Sequence, residues 1–172
     1  MDFQVQVLTT GNWPSYTKLN DLKLPLVMLR CTQVYQDYYE AKNNSMRLTW
    51  THSLGQCNIK GTFGKKSFEL QVTTLQAIVL LAFNKDKACP GGVTGEAVSF
   101  VALQEALSMT EDVLKRVLHS LAWGKYKVLK RIISATPTTT ATAEGEVKAD
   151  KIEKAQKGVL ASDIYAFNEQ FT

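Results

Sequence analysis

A chain of 172 residues with 45% apolar content is long enough for one globular domain or two small ones with a core. Its 20 basic and 16 acidic residues leave a net charge of +4, too weak and mixed to announce nucleic acid by itself. Three cysteines, Cys31, Cys57 and Cys89, are odd in number, far apart and without a Cys-x-x-Cys pair, which argues against a disulfide framework and a zinc module and fits a reducing compartment.

The N-terminus, Met1-Asp2-Phe3-Gln4, lacks the basic start and continuous apolar run of a signal peptide. The longest apolar run, Leu75 to Phe83, is about half of the ~20 residues a membrane span needs. A soluble protein of the cytoplasm and/or nucleus is expected, with no membrane contact. Phe3, Val5 and Val7 alternate with polar neighbours, the period of a half-buried strand, and Gly11-Asn12-Trp13-Pro14 breaks it. From Pro25, Met28, Cys31, Tyr35 and Tyr38 recur at steps of three and four, so one helix runs to about Ala41 and stops at Asn43-Asn44.

Leu48, Trp50, His52 and Leu54 then alternate with polar residues, as do Cys57, Ile59, Gly61 and Phe63. With Gly55-Gln56 as a two-residue type II′ turn, Leu48 opposes Phe63, Trp50 opposes Gly61, and both rows share one face. An indole would cover the space left by that glycine. Gly64-Lys65-Lys66 turns the chain again, and Phe68, Leu70 and Val72 supply a fourth strand. Residues 1–72 are thus expected to form a small four-stranded antiparallel-type sheet with one helix.

From Thr73 the period becomes helical, and Thr73-x-x-Gln76 has the form of a capping box. A boundary near Val72 to Thr73 opens a second unit, 73–172. A glycine-rich loop at Pro90-Gly91-Gly92 precedes a short helix from about Phe100 to Leu107, capped by Ser99. Thr110 caps the next helix, whose stripe is Val113, Leu114, Val117, Leu118 and Leu121. A strand over Tyr126 to Ile133 and a return strand at Ile164 to Phe167 complete the order of a winged helix. Between them, about 134–161 has too few large apolar residues to bury and is expected to be a flexible wing insertion. The fold class is α+β.

Several ordered segments resemble the cullin family: Thr10-Gly11-Asn12-Trp13-Pro14, Leu24-Pro25, Arg47-Leu48-Thr49-Trp50, Ser53 to Ile59, Val72 to Gln76, and Leu118-His119-Ser120-Leu121. The later segments are most similar to the cullin scaffold of SCF-type ubiquitin ligases. The resemblance covers the chain except 85–99 and 134–161. It implies a non-catalytic scaffold with no cofactor, assembled with other parts of a cullin-RING ligase. Its sheet would take up a strand of the RING-box protein, whose backbone satisfies the unpaired groups of a sheet edge. A complete cullin also carries adaptor-binding helical repeats and a second winged helix with a modifier-accepting lysine. Neither resembles anything here, so modification of this chain by a ubiquitin-like protein is not expected.

Candidate residues for the RING-box sheet are Val5, Val7, Leu48, Trp50, Ile59 and Phe63, although an apolar row on a strand is core more often than interface. Lys115, Arg116, Lys125, Lys127, Lys130 and Arg131 form a basic cluster with no acid from Val113 to Ile133. It suits a solvated face, a docking face for an acidic protein, or, as the alternative function, winged-helix binding of nucleic acid. On the expected hairpin, His52 and Cys57 are diagonal neighbours within reach of a thiolate–imidazole pair, but no third orienting residue is apparent. No paired carboxylates, phosphate loop or metal-ligand spacing is present in the sequence.

Overall fold

A computed structural model describes residues 2–12, 19, 21–43, 45–63, 66–84, 97–132 and 159–168. The Trp13-Pro14 break, the Gly64-Lys65 turn, the glycine-rich loop and the wing insertion up to residue 158 lie outside them, as does the side chain of Phe63.

The first helix, α1 (Leu26–Lys42), starts at Pro25, whose carbonyl accepts from Leu29 N at 2.9 Å. Proline suits this position because the first helical N–H groups lack intrahelical acceptors anyway. Asn43 ends the helix by donating from its backbone N and from Nδ2 to the Tyr39 carbonyl. Thr32 is the one buried residue of α1, so most of its circumference is open.

Two strands follow, β1 (Gln56–Phe63) and β2 (Lys66–Thr73), as an antiparallel hairpin. Cys57 faces Val72, Ile59 faces Leu70, and Gly61 faces Phe68, which aligns the half-buried row of each strand on one face. Alternation over these residues was legible in sequence, and the α+β class with small antiparallel sheets holds. Among the described residues this sheet has two paired strands, where four were expected. Residues 2–9 join no ladder, and Thr10–Asn12 is a single 3-10 turn. Leu48 and Trp50 join none either, and His52–Leu54 is a second 3-10 turn.

The type II′ turn fails at Gly55, which has φ −69° and ψ 155° where the first loop residue of that turn needs positive φ. Gly55 serves close approach instead. A Cβ there would overlap the Thr74 hydroxyl, and Thr74 N donates to the Gly55 carbonyl at 2.9 Å. The partner of Gly61 is consequently Phe68 rather than Trp50.

Thr73 ends β2 and caps α2 (Thr74–Ala82) through the expected reciprocal box: Gln76 N donates to Thr73 Oγ1 at 3.3 Å and Thr73 N donates to Gln76 Oε1 at 2.9 Å. Gln76 Nε2 also donates to Ser120 Oγ at 2.9 Å, tying the cap to a later helix. Thr73→Ala is expected to cost about 1 kcal/mol, read as a lower urea midpoint; an unchanged midpoint would assign the start of α2 to packing alone.

The remaining elements are β3 (Ala97–Ser99), α3 (Phe100–Leu107), α4 (Glu111–Trp123), β4 (Leu129–Ile132) and β5 (Ile164–Phe167), with sheet order β3-β5-β4. Ser99 caps α3 by accepting from Ala102 N at 3.2 Å. Ser108, at φ 51°, reverses the chain between α3 and α4. Thr110 occupies the cap position of α4 without a side-chain hydrogen bond. The three-residue β3 was missed in sequence because it is too short to show a period; β5 pairs with it on one side and with β4 on the other.

The core lies here. Ile78 and Val79 of α2, Phe100 and Leu103 of α3, and Leu114 and Leu118 of α4 pack with Leu129 and Tyr165 at 0–1% exposure. Each such burial removes a side chain from water, worth about 1.5–3 kcal/mol. The buried apolar cluster takes no residue before Ala77 among the described residues. The earlier half attaches to it at the edge, through Leu22, Leu24, Met28, Ile59, Leu70 and Val72, and through Lys23 N, which donates to the Leu107 carbonyl at 3.1 Å.

Candidate functional site

Exposed large apolar side chains concentrate before residue 55: Phe3, Val7, Leu8, Leu26, Val27, Leu29, Val34, Tyr38, Met46 and Leu54 are 39–70% exposed. Scattered apolar exposure is ordinary, but a half whose described residues only edge the buried cluster and present this much apolar surface has the character of an interface.

Trp50 organises this half. Its ring meets Phe3 at 6.2 Å between centroids, meets Tyr35 of α1 edge-on at 6.0 Å, and stacks on His52 at 6.2 Å with 7° between planes. The Phe3 contact brings the start of the stretch 2–9 to Trp50, within the stretch 46–51. Both stretches alternate apolar and polar side chains, and neither has a strand partner among the described residues. Trp50 Nε1 and Ser53 Oγ are buried without a hydrogen-bond partner within the described chain. A buried donor left unpaired costs about 1–3 kcal/mol, so these two polar atoms mark where an added acceptor would be favourable. Beside them, an open groove of ≈ 340 Å³ is lined by Leu24, Leu29, Thr32, Gln33, Gln36, Asp37, Trp50 and His52.

Of the proposed sheet residues, Val5, Leu48 and Trp50 are half-buried and Val7 is exposed. Ile59 is on β1 and packs on the core cluster, so its side chain is held from within the chain. Phe63 ends β1 opposite Lys66. Tyr35 belongs with Trp50 and was noticed in sequence only as part of a helical stripe.

Burial lowers the pKa of His52 below its usual 6.5. The unfolded chain therefore takes up the proton first as pH falls. Stability from the neutral imidazole is fully present above pH 6.5 and is lost as pH falls towards the folded-state pKa. The urea midpoint should drop between about pH 7.5 and pH 5.5, and His52→Gln should flatten that dependence; an identical slope in the variant would assign the effect to other groups. His52 does not make the thiolate pair considered from sequence: it stacks on Trp50, while Cys57 Sγ lies 3.7 Å from Thr74 Oγ1. The diagonal relation required a hairpin that does not form.

The six basic residues do not make one face. Arg116, Lys125, Lys127 and Lys130 are exposed. Lys115 pairs with Glu111 one turn earlier at 2.5 Å. Arg131 points inward, because successive side chains of β4 alternate between faces. Its Nη2 meets Asp163 Oδ1 at 2.6 Å, with the two side chains 10% and 4% exposed, and its guanidinium lies 6.0 Å from the Trp123 ring centre. Arg131 thus leaves the proposed docking face. The acid-free run from 113 to 133 concealed its partner, since Asp163 is reached only through the β4–β5 pairing.

Asp163 also accepts from Leu160 N at 2.8 Å and from the Tyr165 hydroxyl at 3.3 Å, both at Oδ2. Burial, reinforced by the negative charge of Asp163, pushes the Tyr165 pKa up. Among the described residues no group of three or more His, Cys, Asp or Glu side chains is arranged to hold a metal, and no helix is long and apolar enough to cross a membrane.

The family model of the cullin alpha+beta domain matches residues 7–171. Cullin-2 of Arabidopsis thaliana is 44% identical over 172 residues, which is 100% of this chain and 19% of that protein. The putative cullin-like protein 1 of Arabidopsis thaliana is 45% identical over 156 residues, 90% of this chain and 20% of its own. Cullin-1 of Oryza sativa subsp. japonica is 36% identical over 168 residues, 98% of this chain and 18% of its own. The chain spans about a fifth of the length of these relatives.

Proposed function

This chain belongs to the cullin family, and from that premise we propose that it is a non-catalytic scaffold segment of a cullin-RING ubiquitin ligase, acting in ubiquitin-dependent protein catabolism in the cytoplasm and/or nucleus. Its first half, 1–72, takes up a strand of the RING-box protein. Its second half, 73–172, is a winged-helix unit that serves as a packing block for the ligase.

One observation carries the strand-addition reading. Residues 2–9 and 46–51 have the side-chain alternation of strands, sit together through the Phe3–Trp50 ring contact, and lack any ladder partner among the described residues. Alternation specifies a face, whereas a strand needs a neighbour to exchange backbone hydrogen bonds. An incoming strand supplies those bonds, and its carbonyls are acceptors suited to Trp50 Nε1. The β1–β2 hairpin adds two outer edges without strand partners among the described residues. The winged-helix reading rests on the order helix, strand, helix, helix, strand, strand over α2 to β5. The scaffold role needs no chemistry of its own, since holding reactants near one another accelerates transfer.

The nucleic-acid alternative fares worse on electrostatics. The first turn of α4, which a winged-helix reader would bring to the bases, carries Glu111 and Asp112, and Arg131 is committed to Asp163.

The test is coexpression of the whole chain with a RING-box protein, followed by size exclusion and amide exchange on the complex. Coelution is expected, with exchange slowed in both 2–9 and 46–51. Two folded partners that elute apart, or a complex in which both stretches exchange as in the free chain, would overturn strand addition here.

A further inference from the structure

α1 carries two stripes. Met28, Thr32, Tyr35 and Tyr39 are buried or half-buried, Met28 against the core and Tyr35 against Trp50. On another side Val27, Cys31, Val34, Tyr38 and Ala41 follow one another at steps of 4, 3, 4 and 3 residues. That spacing is the seam by which one helix packs along another with interlocking side chains. Yet the seam is largely open: Val27 is 50%, Val34 70% and Tyr38 58% exposed, with Cys31 half-buried between them and the Tyr38 ring meeting Tyr35 and Lys42 of the same helix.

The charges beside the seam select its occupant. Arg30 and Asp37 border it on the same side, seven residues apart, and both are exposed. When two copies of such a helix run antiparallel about a two-fold axis, Val27 layers on the partner's Tyr38 and Cys31 on the partner's Val34. In that register Arg30 stands opposite the partner's Asp37, and Asp37 opposite the partner's Arg30. The seam is therefore complementary to itself in shape and in charge, as a two-fold interface must be. We propose that α1 is a homodimerisation helix, which joins two copies of this chain antiparallel through Val27, Cys31, Val34 and Tyr38 with flanking Arg30–Asp37 pairs. This surface uses no residue of 2–9 or 46–51, although Asp37 also lines the groove beside Trp50, and it does not depend on the strand-addition reading.

Two heptads make a small contact, so the dissociation constant is expected on the order of 10–100 μM. Sedimentation equilibrium of the full chain over that range should show the mass rising towards twice that of the monomer. Val34→Glu, at an exposed position, should keep the circular dichroism spectrum and weaken association at least about tenfold. Arg30→Asp should weaken it severalfold by opposing like charges, and Arg30→Asp with Asp37→Arg should restore it. A mass that stays monomeric up to about 1 mM, or association indifferent to Val34→Glu, overturns the proposal and leaves the seam to a helix of another protein. Failure of the double charge exchange to restore what Arg30→Asp removed overturns the antiparallel register.

Discussion

Asp163→Asn is expected to destabilise the chain by about 3–5 kcal/mol, a large part of the 5–15 kcal/mol that holds a small domain together. The reason is what the substitution leaves behind. Arg131 would keep its charge at 10% side-chain exposure with its carboxylate gone, and the Tyr165 hydroxyl and Leu160 N would lose charged acceptors. The Asp163 carbonyl accepts from Phe100 N at 2.9 Å, so the same residue fixes the start of α3. Arg131→Met should cost a similar amount, because it strands the carboxylate. The double variant should recover part of the loss, since neither side chain then keeps a buried charge facing a missing opposite charge. Urea unfolding of the four proteins measures the coupling. Single variants within about 0.5 kcal/mol of the parent would mean that water reaches the pair and that it has no structural role.

Phe100→Ala is the second large effect, about 3–5 kcal/mol. Phe100 is 1% exposed at the first position of α3, within the cluster built by α2, α4 and the β3-β5-β4 sheet. Truncation removes an aromatic side chain and leaves a cavity that three elements cannot close together. The adjacent Val101, 47% exposed, is the control: Val101→Ala should stay within about 0.5 kcal/mol. A lower urea midpoint with an unchanged slope is expected for Phe100→Ala. Equal effects at the two positions would contradict this assignment of the core.

The capping box at Thr73, the Ser99 cap, the limits of α3 and the return strand at Ile164–Phe167 were legible residue by residue, and the limits of α1 to within about one residue. Each depends on groups within a few positions of one another, so local spacing carries the signal. The row Cys57, Ile59, Gly61 was legible for the same reason, but its partner was not. Two alternating rows, one on each side of it, were equally able to face it, and the glycine at 55 suggested the wrong one. A glycine in a sequence marks either a special φ or a close approach, and only the nearness of Thr74 distinguished them.

The candidate interface divides in the same way. Trp50 and Val5 were identified from alternation, while Tyr35, the open seam of α1 and the unpaired indole N–H depend on which side of a helix the rest of the chain leaves uncovered. Arg131 looked like its basic neighbours because charge is visible in sequence and burial is not; its carboxylate lies 32 positions away and is reached across a strand pair. By itself, then, the sequence determined the family, the α+β class, the helix caps and the faces of the strands, all set by short-range periodicity or ordered motifs. Only the tertiary structure decided which strands pair, which charge is buried and which apolar residues remain exposed, because these follow from contacts between segments whose separation along the chain carries no local signature.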